Sequence, residues 1–364
     1  MNLSLITANV IPASAKWAFT TRRVNKSDVV GLSTDFSHAV PGDLVLGQII
    51  TLGQHRKIQL AEGRLSESYT GDYIVVACGD RYAPDQFEGV AELDPEGADL
   101  IAGGGLLGRM RAAHIKMIQP TRVKPLGLLL NRQGETINIA NYSLPMAAMP
   151  KDITVIGVVG ASMNAGKTTA AVSLAHGLSR AGLKVAGIKA TGTGAFGDYN
   201  AFRDAGIPIV ADFTDAGMAS TYRQPIDRIE EGFKALIAHA AAEGAEVAVV
   251  ELADGIFQLE TAELLRASII RDSFSGVMFA APDALGAVGG VAHLRQLGLE
   301  PFAVSGMVSC SPLAIAEAEA VTQVRIASRD ELRDPACATE LVSGFMSISP
   351  VAPSEAVIGY ERAA

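Results

Sequence analysis

Along roughly the first 145 residues the apolar positions come in short runs that alternate with polar ones and stop at glycine, asparagine or aspartate. Examples are "GDLVLGQIITLG", "RKIQLAEG", "GDYIVVACG", "KPLGLLLN" and "ETINIANYSL". Runs of this length bounded by turn residues predict β-strands. Two of them share a device, "VPGDLVLGQI" at 40–49 and "YTGDYIVVAC" at 69–78, in which a Gly-Asp turn releases the chain into an apolar strand. Two copies are too few for a solenoid, so the pattern predicts a small barrel or sandwich. The segment "DLIAGGGLLGRMRAAHIKM" at 99–117 reads differently. Its three glycines precede a short helix, and they either cradle an anion or turn a corner.

From Ile153 the pattern changes. Runs apolar on both faces, "ITVIGVV", "KVAGIKA", "IPIVADF", "EVAVVEL", "GVMFAA" and "PFAVSGMV", alternate with amphipathic stretches such as "KTTAAVSLAHGLSRAG", "IDRIEEGFKALIAHAAAEG" and "GAVGGVAHLRQLG". Strands without a polar face, joined by helices, predict a parallel sheet covered by helices on both sides. The expected fold class is therefore α/β. A parallel-sheet P-loop NTPase domain at 148–364 follows a smaller β-rich barrel or sandwich domain at 1–147, with "SLPMAAMPKD" as the linker.

Composition narrows the function classes. The chain has 364 residues, 49% of them hydrophobic, enough for two buried cores. Its apolar runs are far shorter than a membrane span, and the opening "MNLSLITANVIPASAKW" lacks the basic start of a leader, so a cytoplasmic protein with no membrane partner is expected. Cys78, Cys310 and Cys337 are scattered and form no CxxC pair, which predicts buried thiols rather than a disulfide framework or zinc site. The net charge is -9, and the first 150 residues are balanced, so the whole acidic excess falls on the second domain. An acidic P-loop domain argues against nucleic acid as a partner and leaves a small phosphorylated ligand compatible.

The candidate chemistry gathers where strands end, the place at which ligands bind in a parallel sheet. The stretch "GASMNAGKTT" follows an apolar strand and opens a helix, matching the long phosphate-loop spacing GxxxxxGKT. Gly160, Asn164, Ala165, Gly166, Lys167, Thr168 and Thr169 form its phosphate-binding set. The backbone N–H groups and helix N-terminus cradle a polyphosphate, Lys167 reaches the terminal phosphates, and Thr168 coordinates Mg2+. Glu251 ends "EVAVVEL", with Asp254 three residues on. A carboxylate at the tip of a buried strand needs a partner or a metal, and the alternative for Asp254 is a helix cap. Lys189 ends the second strand and points toward the same crevice, followed by the Thr/Gly loop that carries Thr191 and Thr193 as substrate-facing hydroxyls. Asp212 and Asp215 follow the third strand, where either binds metal, acts on substrate or caps the loop. In the first domain, "CGDRYAPDQFEG" at 78–89 clusters Asp80, Arg81, Asp85 and Glu88 between strands, as an ion-pair network or part of a substrate lid or specificity module.

Over residues 153–327 these pieces resemble the dethiobiotin synthetase-like group of P-loop proteins. "GASMNAGKT", "IKATGTG" and "VVELADG" put Lys189, Thr193 and Glu251 at positions matching that group's motifs, and "FAAPDALGAVGGVAHLRQLGLEPFAVSGMVSCSP" echoes its strand, helix and strand before the nucleotide base. The resemblance implies a homodimer using ATP and Mg2+ to phosphorylate a carboxylate or carbamate of a small-molecule substrate, with Lys167 and Lys189 catalytic. The stretch "GDYNAFRDAGIPIVADFTDAG" is also similar to the D-glutamate N-acetyltransferase-like proteins, which implies acyl transfer from a donor such as acetyl-CoA. Three readings follow: an ATP-dependent ligase or kinase, an N-acyltransferase with a nucleotide-containing donor, and a nucleotide-switched binding protein.

Overall fold

The structure, a computed structural model, describes residues 10–346. The opening residues 1–9 read above for a leader, and residues 347–364 at the end of the second expected domain, lie outside the described residues.

The first part of the chain is built from strands β1 (Lys16–Trp17), β2 (Gly31–Ser33), β3 (Leu44–Thr51), β4 (Lys57–Gln59), β5 (Leu65–Glu67), β6 (Tyr73–Cys78), β7 (Phe87–Val90), β8 (Ala98–Ala102), β9 (Leu106–Ala113) and β10 (Thr121–Leu130). The two Gly-Asp devices start β3 and β6, which lie side by side, Leu44 opposite Ala77 and Gln48 opposite Tyr73. Strand β3 also pairs β10, β10 pairs β8, β8 pairs β9, and a short parallel contact of Ala77 with Leu106 joins β9 back to β6, so the sheet closes on itself. Alternation then sorts the side chains. Val45, Ile49, Ile74 and Val76 face one core, while Leu44, Leu46, Val75 and Ala77 face another that takes in Trp17, Ile137 and Ile139.

Two expectations fail here. Residues 99–117 contain no helix: they form the β8–β9 hairpin, because the glycines sit at the turn, with Gly105 at φ +99°, and the flanking residues pair across it. "ETINIANYSL" is not a strand. Asn138 and Asn141 cap each other's backbone and wind Ile139–Tyr142 into a 3-10 turn, while the Asn138 amide donates to Asp43 at 2.9 Å.

The second part has strands β11 (Thr154–Gly160), β12 (Val185–Lys189), β13 (Ile209–Asp212), β14 (Val247–Glu251), β15 (Gly276–Ala280) and β16 (Pro301–Ser305). Its helices are α1 (Lys167–Arg180), α2 (Phe196–Asp204), α3 (Ile226–Ala242), α4 (Leu259–Arg266), α5 (Ser268–Ser273), α6 (Ala284–Gln296), α7 (Pro312–Thr322), α8 (Arg329–Arg333) and α9 (Pro335–Val342). All six strands are parallel, in the order β13-β12-β14-β11-β15-β16, as the doubly apolar runs require. Val155 and Val159 of β11 face one helical layer, Ile156 and Val158 the other. Strand β11 lies between β14 and β15, and the phosphate loop leaves its carboxyl end.

The two parts are joined by specific contacts. The glycine turn of the β8–β9 hairpin lies against the loop after β12: a Cβ on Gly104 would sit 1.9 Å from the Gly194 carbonyl oxygen. Arg22 reaches across to the loop after β13, its Nη2 lying 2.8 Å from Asp212 Oδ1 and 2.5 Å from Asp215 Oδ2, and it stacks on Phe19 with its guanidinium 4.2 Å from the ring centre. Burial disfavours the Arg22 charge, but Asp212 and Asp215 outweigh it and hold its pKa up. Replacing one member of a buried pair strands the other. Arg22→Met is expected to cost about 3–5 kcal/mol, read as a lower denaturation midpoint, and an unchanged midpoint would show that the pair is not a joint between the two parts.

Candidate active site

The loop from Gly160 to Lys167 is set by its backbone. Gly166 has φ +96°, and a Cβ there would also lie 2.8 Å from Gly306 Cα, so only glycine brings the chain into α1 at this angle. Lys167 folds back over the loop and donates to the Ser162 carbonyl at 2.8 Å. Burial lowers its pKa, against the pull of Glu251 and Asp254. The first N–H groups of α1 open into the loop, as an anion requires.

Sheet register lines up the charged strand ends. Val158 of β11 is opposite Glu251 of β14, Glu251 opposite Lys189 of β12, and Lys189 opposite Asp212 of β13. Glu251 is 2% exposed; its Oε1 accepts from the Thr168 hydroxyl at 3.1 Å and lies 3.9 Å from Lys189 Nζ. Its Oε2 is buried without a partner. Lys189 is held between Glu251 and Asp198 of α2, with which its ammonium forms an ion pair. Asp254 completes the set: burial raises its pKa, while Lys167 and Lys189 pull it down.

This oxygen set fits a hard cation. A buried carboxylate oxygen with no donor, next to a hydroxyl at the mouth of a phosphate loop, is the arrangement Mg2+ uses, with its other positions left to phosphate and water. Thr168 and Glu251 would supply the protein's share, with Asp254 on the same cavity; no group of three or more His, Cys, Asp or Glu that could hold a metal occurs among the described residues.

Around the loop lie three cavities. One of about 370 Å³ holds Asn164, Lys167, Thr168, Lys189, Glu251 and Asp254. A second, about 410 Å³, is roofed by the β-rich part, with His55, Gln59, Arg81 and Tyr82 facing Lys189 and Thr193. The two share Met163, Lys189, Asp198, Ala253 and Asp254, so Lys189 stands where they meet. The third, about 490 Å³, opens beside Gly166 and Thr169 and runs to Ser305, Met307 and Arg329.

The structure thus brings Asn164, Gly166, Lys167, Thr168, Thr169, Lys189, Glu251 and Asp254 around one cavity. Gly160 lies beneath Lys167, where a Cβ would come within 2.6 Å of Lys167 Cγ, and Ala165 is buried, its carbonyl accepting from Met307 N at 3.1 Å. Thr193 lines the roofed chamber, whereas the Thr191 hydroxyl is spent on the Ala253 carbonyl at 2.6 Å. Asp212 and Asp215 are elsewhere. They pair with Arg22, Asp212 caps its own loop through Thr214 N at 2.7 Å, and neither lines any of these cavities. The helix cap considered for Asp254 belongs to Gln258, which accepts from Thr261 N at 2.9 Å. The loop at 78–89 does not form a network of its own: Asp85 accepts from Asn164 of the phosphate loop at 2.8 Å, Glu88 from the Tyr222 hydroxyl at 3.2 Å, and Asp80 pairs with Arg223 at 3.8 Å. Cys78 is buried, but Cys310 is exposed. Asp198, His55 and Met163 carry no sequence signal and were reachable only through the fold.

No protein-family model and no curated protein matches the chain. Among solved structures, the signal recognition particle 54 kDa protein from Aeropyrum pernix K1 in complex with GDP is 21% identical over 54% of this chain, with a TM-score of 0.35. The signal recognition particle receptor FtsY from Elizabethkingia anophelis is 19% identical over 58% of this chain and 75% of its own, TM-score 0.36. FtsY from Mycoplasma mycoides is 16% identical over 57% of this chain and 73% of its own, TM-score 0.35. This chain spans 50% of the length of the first of them.

The orphaned Glu251 oxygen makes a prediction. Glu251→Gln keeps the shape and the Thr168 contact but removes the charge, so nucleotide affinity in Mg2+ is expected to fall about 10–100-fold, the range for losing a group that supports a metal, with affinity in EDTA nearly unchanged. Equal losses in both buffers would make Glu251 a structural residue.

Proposed function

We propose that the protein is an ATP- and Mg2+-dependent ligase or kinase that activates a small carboxylate-bearing substrate by phosphoryl transfer. The observation that carries this reading is the meeting of the phosphate-loop cavity and the roofed chamber at Lys189. The resemblance to the dethiobiotin synthetase-like group, with Lys189, Thr193 and Glu251 on its motif positions, supports the same chemistry. Dimerisation and a cytoplasmic setting belong to this reading and rest on that resemblance and on composition. No helix of the described residues is long and apolar enough to cross a membrane.

In the mechanism, the loop amides and Lys167 hold the β- and γ-phosphates, Lys167 giving up its contact with the Ser162 carbonyl. The cavity beside Thr169 and Ser305 has room for the nucleoside. Thr168 and Glu251 would hold Mg2+, which would supply charge neutralisation at the phosphates. A carboxylate oxygen of the acceptor, lying in the roofed chamber, attacks the γ-phosphorus as the bond to the bridging oxygen breaks, leaving an acyl phosphate and ADP. Lys189 faces the oxygens that gain charge in this step, and Asp198 and Glu251 fix its ammonium. Asp212 and Asp215 take no part: they join the two halves of the fold.

A screen of small carboxylates for ADP release identifies the acceptor. Lys189→Ala is then expected to keep nucleotide affinity and lose about two to three orders of magnitude in turnover, the scale of one preorganised charge donor, whereas Lys167→Ala damages both. Normal turnover in a folded Lys189→Ala protein would remove Lys189 from the chemistry. Thermal stabilisation by acetyl-CoA but not by Mg-ATP would replace phosphoryl transfer with the N-acyltransferase reading, and nucleotide hydrolysis that no acceptor stimulates would favour the switch.

A further inference from the structure

The roofed chamber is electrically lopsided. Its carboxylates, Asp198 and Asp254, both come from the P-loop half, whereas the β-rich wall contributes Lys57, His55, Arg81 and side-chain amides. Lys57 is exposed and already paired with Glu67 at 2.6 Å. Arg81 is different: it is 6% exposed, lines the chamber, and belongs to no ion pair among the described residues. Its guanidinium contacts neutral groups alone: it donates to the Ile101 carbonyl and to Gln86 Oε1 at 2.8 Å, and lies 3.2 Å from His55 Nε2, itself 3.1 Å from that carbonyl. With five N–H donors and those three contacts, donors are left over, and Nε is buried without a partner. Burial lowers the Arg81 pKa to about 10, and Asp85 and Asp254 are near enough to oppose that without pairing. The imidazole beside it is held neutral, its pKa pushed down to about 4 by burial and by Arg81 itself.

A buried cation with no carboxylate in ion-pair contact is a cost the fold carries unless a ligand supplies the anion. A guanidinium fork matches a carboxylate in particular. We infer that Arg81 reads a carboxylate of the acceptor at the end remote from the one that meets Lys189, so the acceptor is a small dianion that spans the chamber. Which end reacts rests on the phosphoryl-transfer reading; the anion site at Arg81 does not, because it needs neither nucleotide nor turnover.

The full chain, without nucleotide, is titrated calorimetrically with the linear dicarboxylates from malonate to adipate and with their monoamides. At least one dicarboxylate should bind about tenfold or more tightly than its monoamide, and Arg81→Gln should lose about 10–100-fold of that affinity, the value of a charge-assisted contact. Arg81→Lys should recover part of it. The melting temperature of Arg81→Gln without ligand should equal or exceed that of the wild type, because a buried charge with no ion-pair partner is gone. The inference is overturned if no dicarboxylate binds, if the monoamides bind equally well, if Arg81→Gln binds like the wild type, or if Arg81→Gln is destabilised, which would make the guanidinium a structural group. ADP release with no dicarboxylate binding would leave phosphoryl transfer standing and the Arg81 site refuted; binding with no ADP release would do the reverse.

Discussion

A carboxylate buried at the tip of a central strand is the constraint around which the site is organised. Glu251 sits on β14 between the phosphate-loop strand and β12, 2% exposed, and water cannot stabilise its charge there. The fold answers with a hydroxyl from α1 and an ammonium from β12, and leaves one oxygen without a donor. Each of those groups is where it is because of Glu251's neighbours in the sheet: the register fixes Lys189 beside it, and the helix that follows β11 brings Thr168 down onto it. The same packing that makes the carboxylate costly makes any cation bound to it, and any phosphate bound to that cation, well placed relative to Lys189.

The β-rich part turns this crevice into a chamber. Its attachments mix three kinds of force: a buried ion pair at Arg22, close backbone packing at Gly104 and Gly194, and single hydrogen bonds accepted by Asp85 and Glu88. The first two lie away from the phosphate loop and fix the two parts together. The third reaches the loop itself, since Asp85 holds the side chain of Asn164, a residue at φ +65°. The phosphate loop and the segment carrying Arg81 are therefore in direct contact.

The parallel sheet, its helices and the phosphate loop were legible in the sequence because each depends on local periodicity or contiguous spacing. Lys189 and Glu251 were legible for the same reason, as polar residues ending apolar strands. Asp212 and Asp215 obey that rule too, yet Arg22, far off in sequence, claims them both. No periodicity reports a partner at such a distance. The glycines at 103–105 announced a turn but not what flanks it, and β8 and β9 are strands because of long-range pairing with β10, β6 and β7. Arg81 was visible as a charge in a loop; that it is buried, without an ion pair among the described residues, and on the wall of Lys189's chamber is a property of the assembled fold.

In the proposed reaction the terminal phosphate is delivered from the loop toward the β-rich chamber at Lys189. A crystal structure of the full chain with Mg2+ and a non-hydrolysable ATP analogue tests it most directly. The γ-phosphate is expected within hydrogen-bonding distance of both Lys167 and Lys189, the cation on Thr168 and Glu251, and an open path from the phosphate to Arg81. A γ-phosphate turned away from Lys189, or a chamber sealed from it by the Asp85 loop, would contradict it.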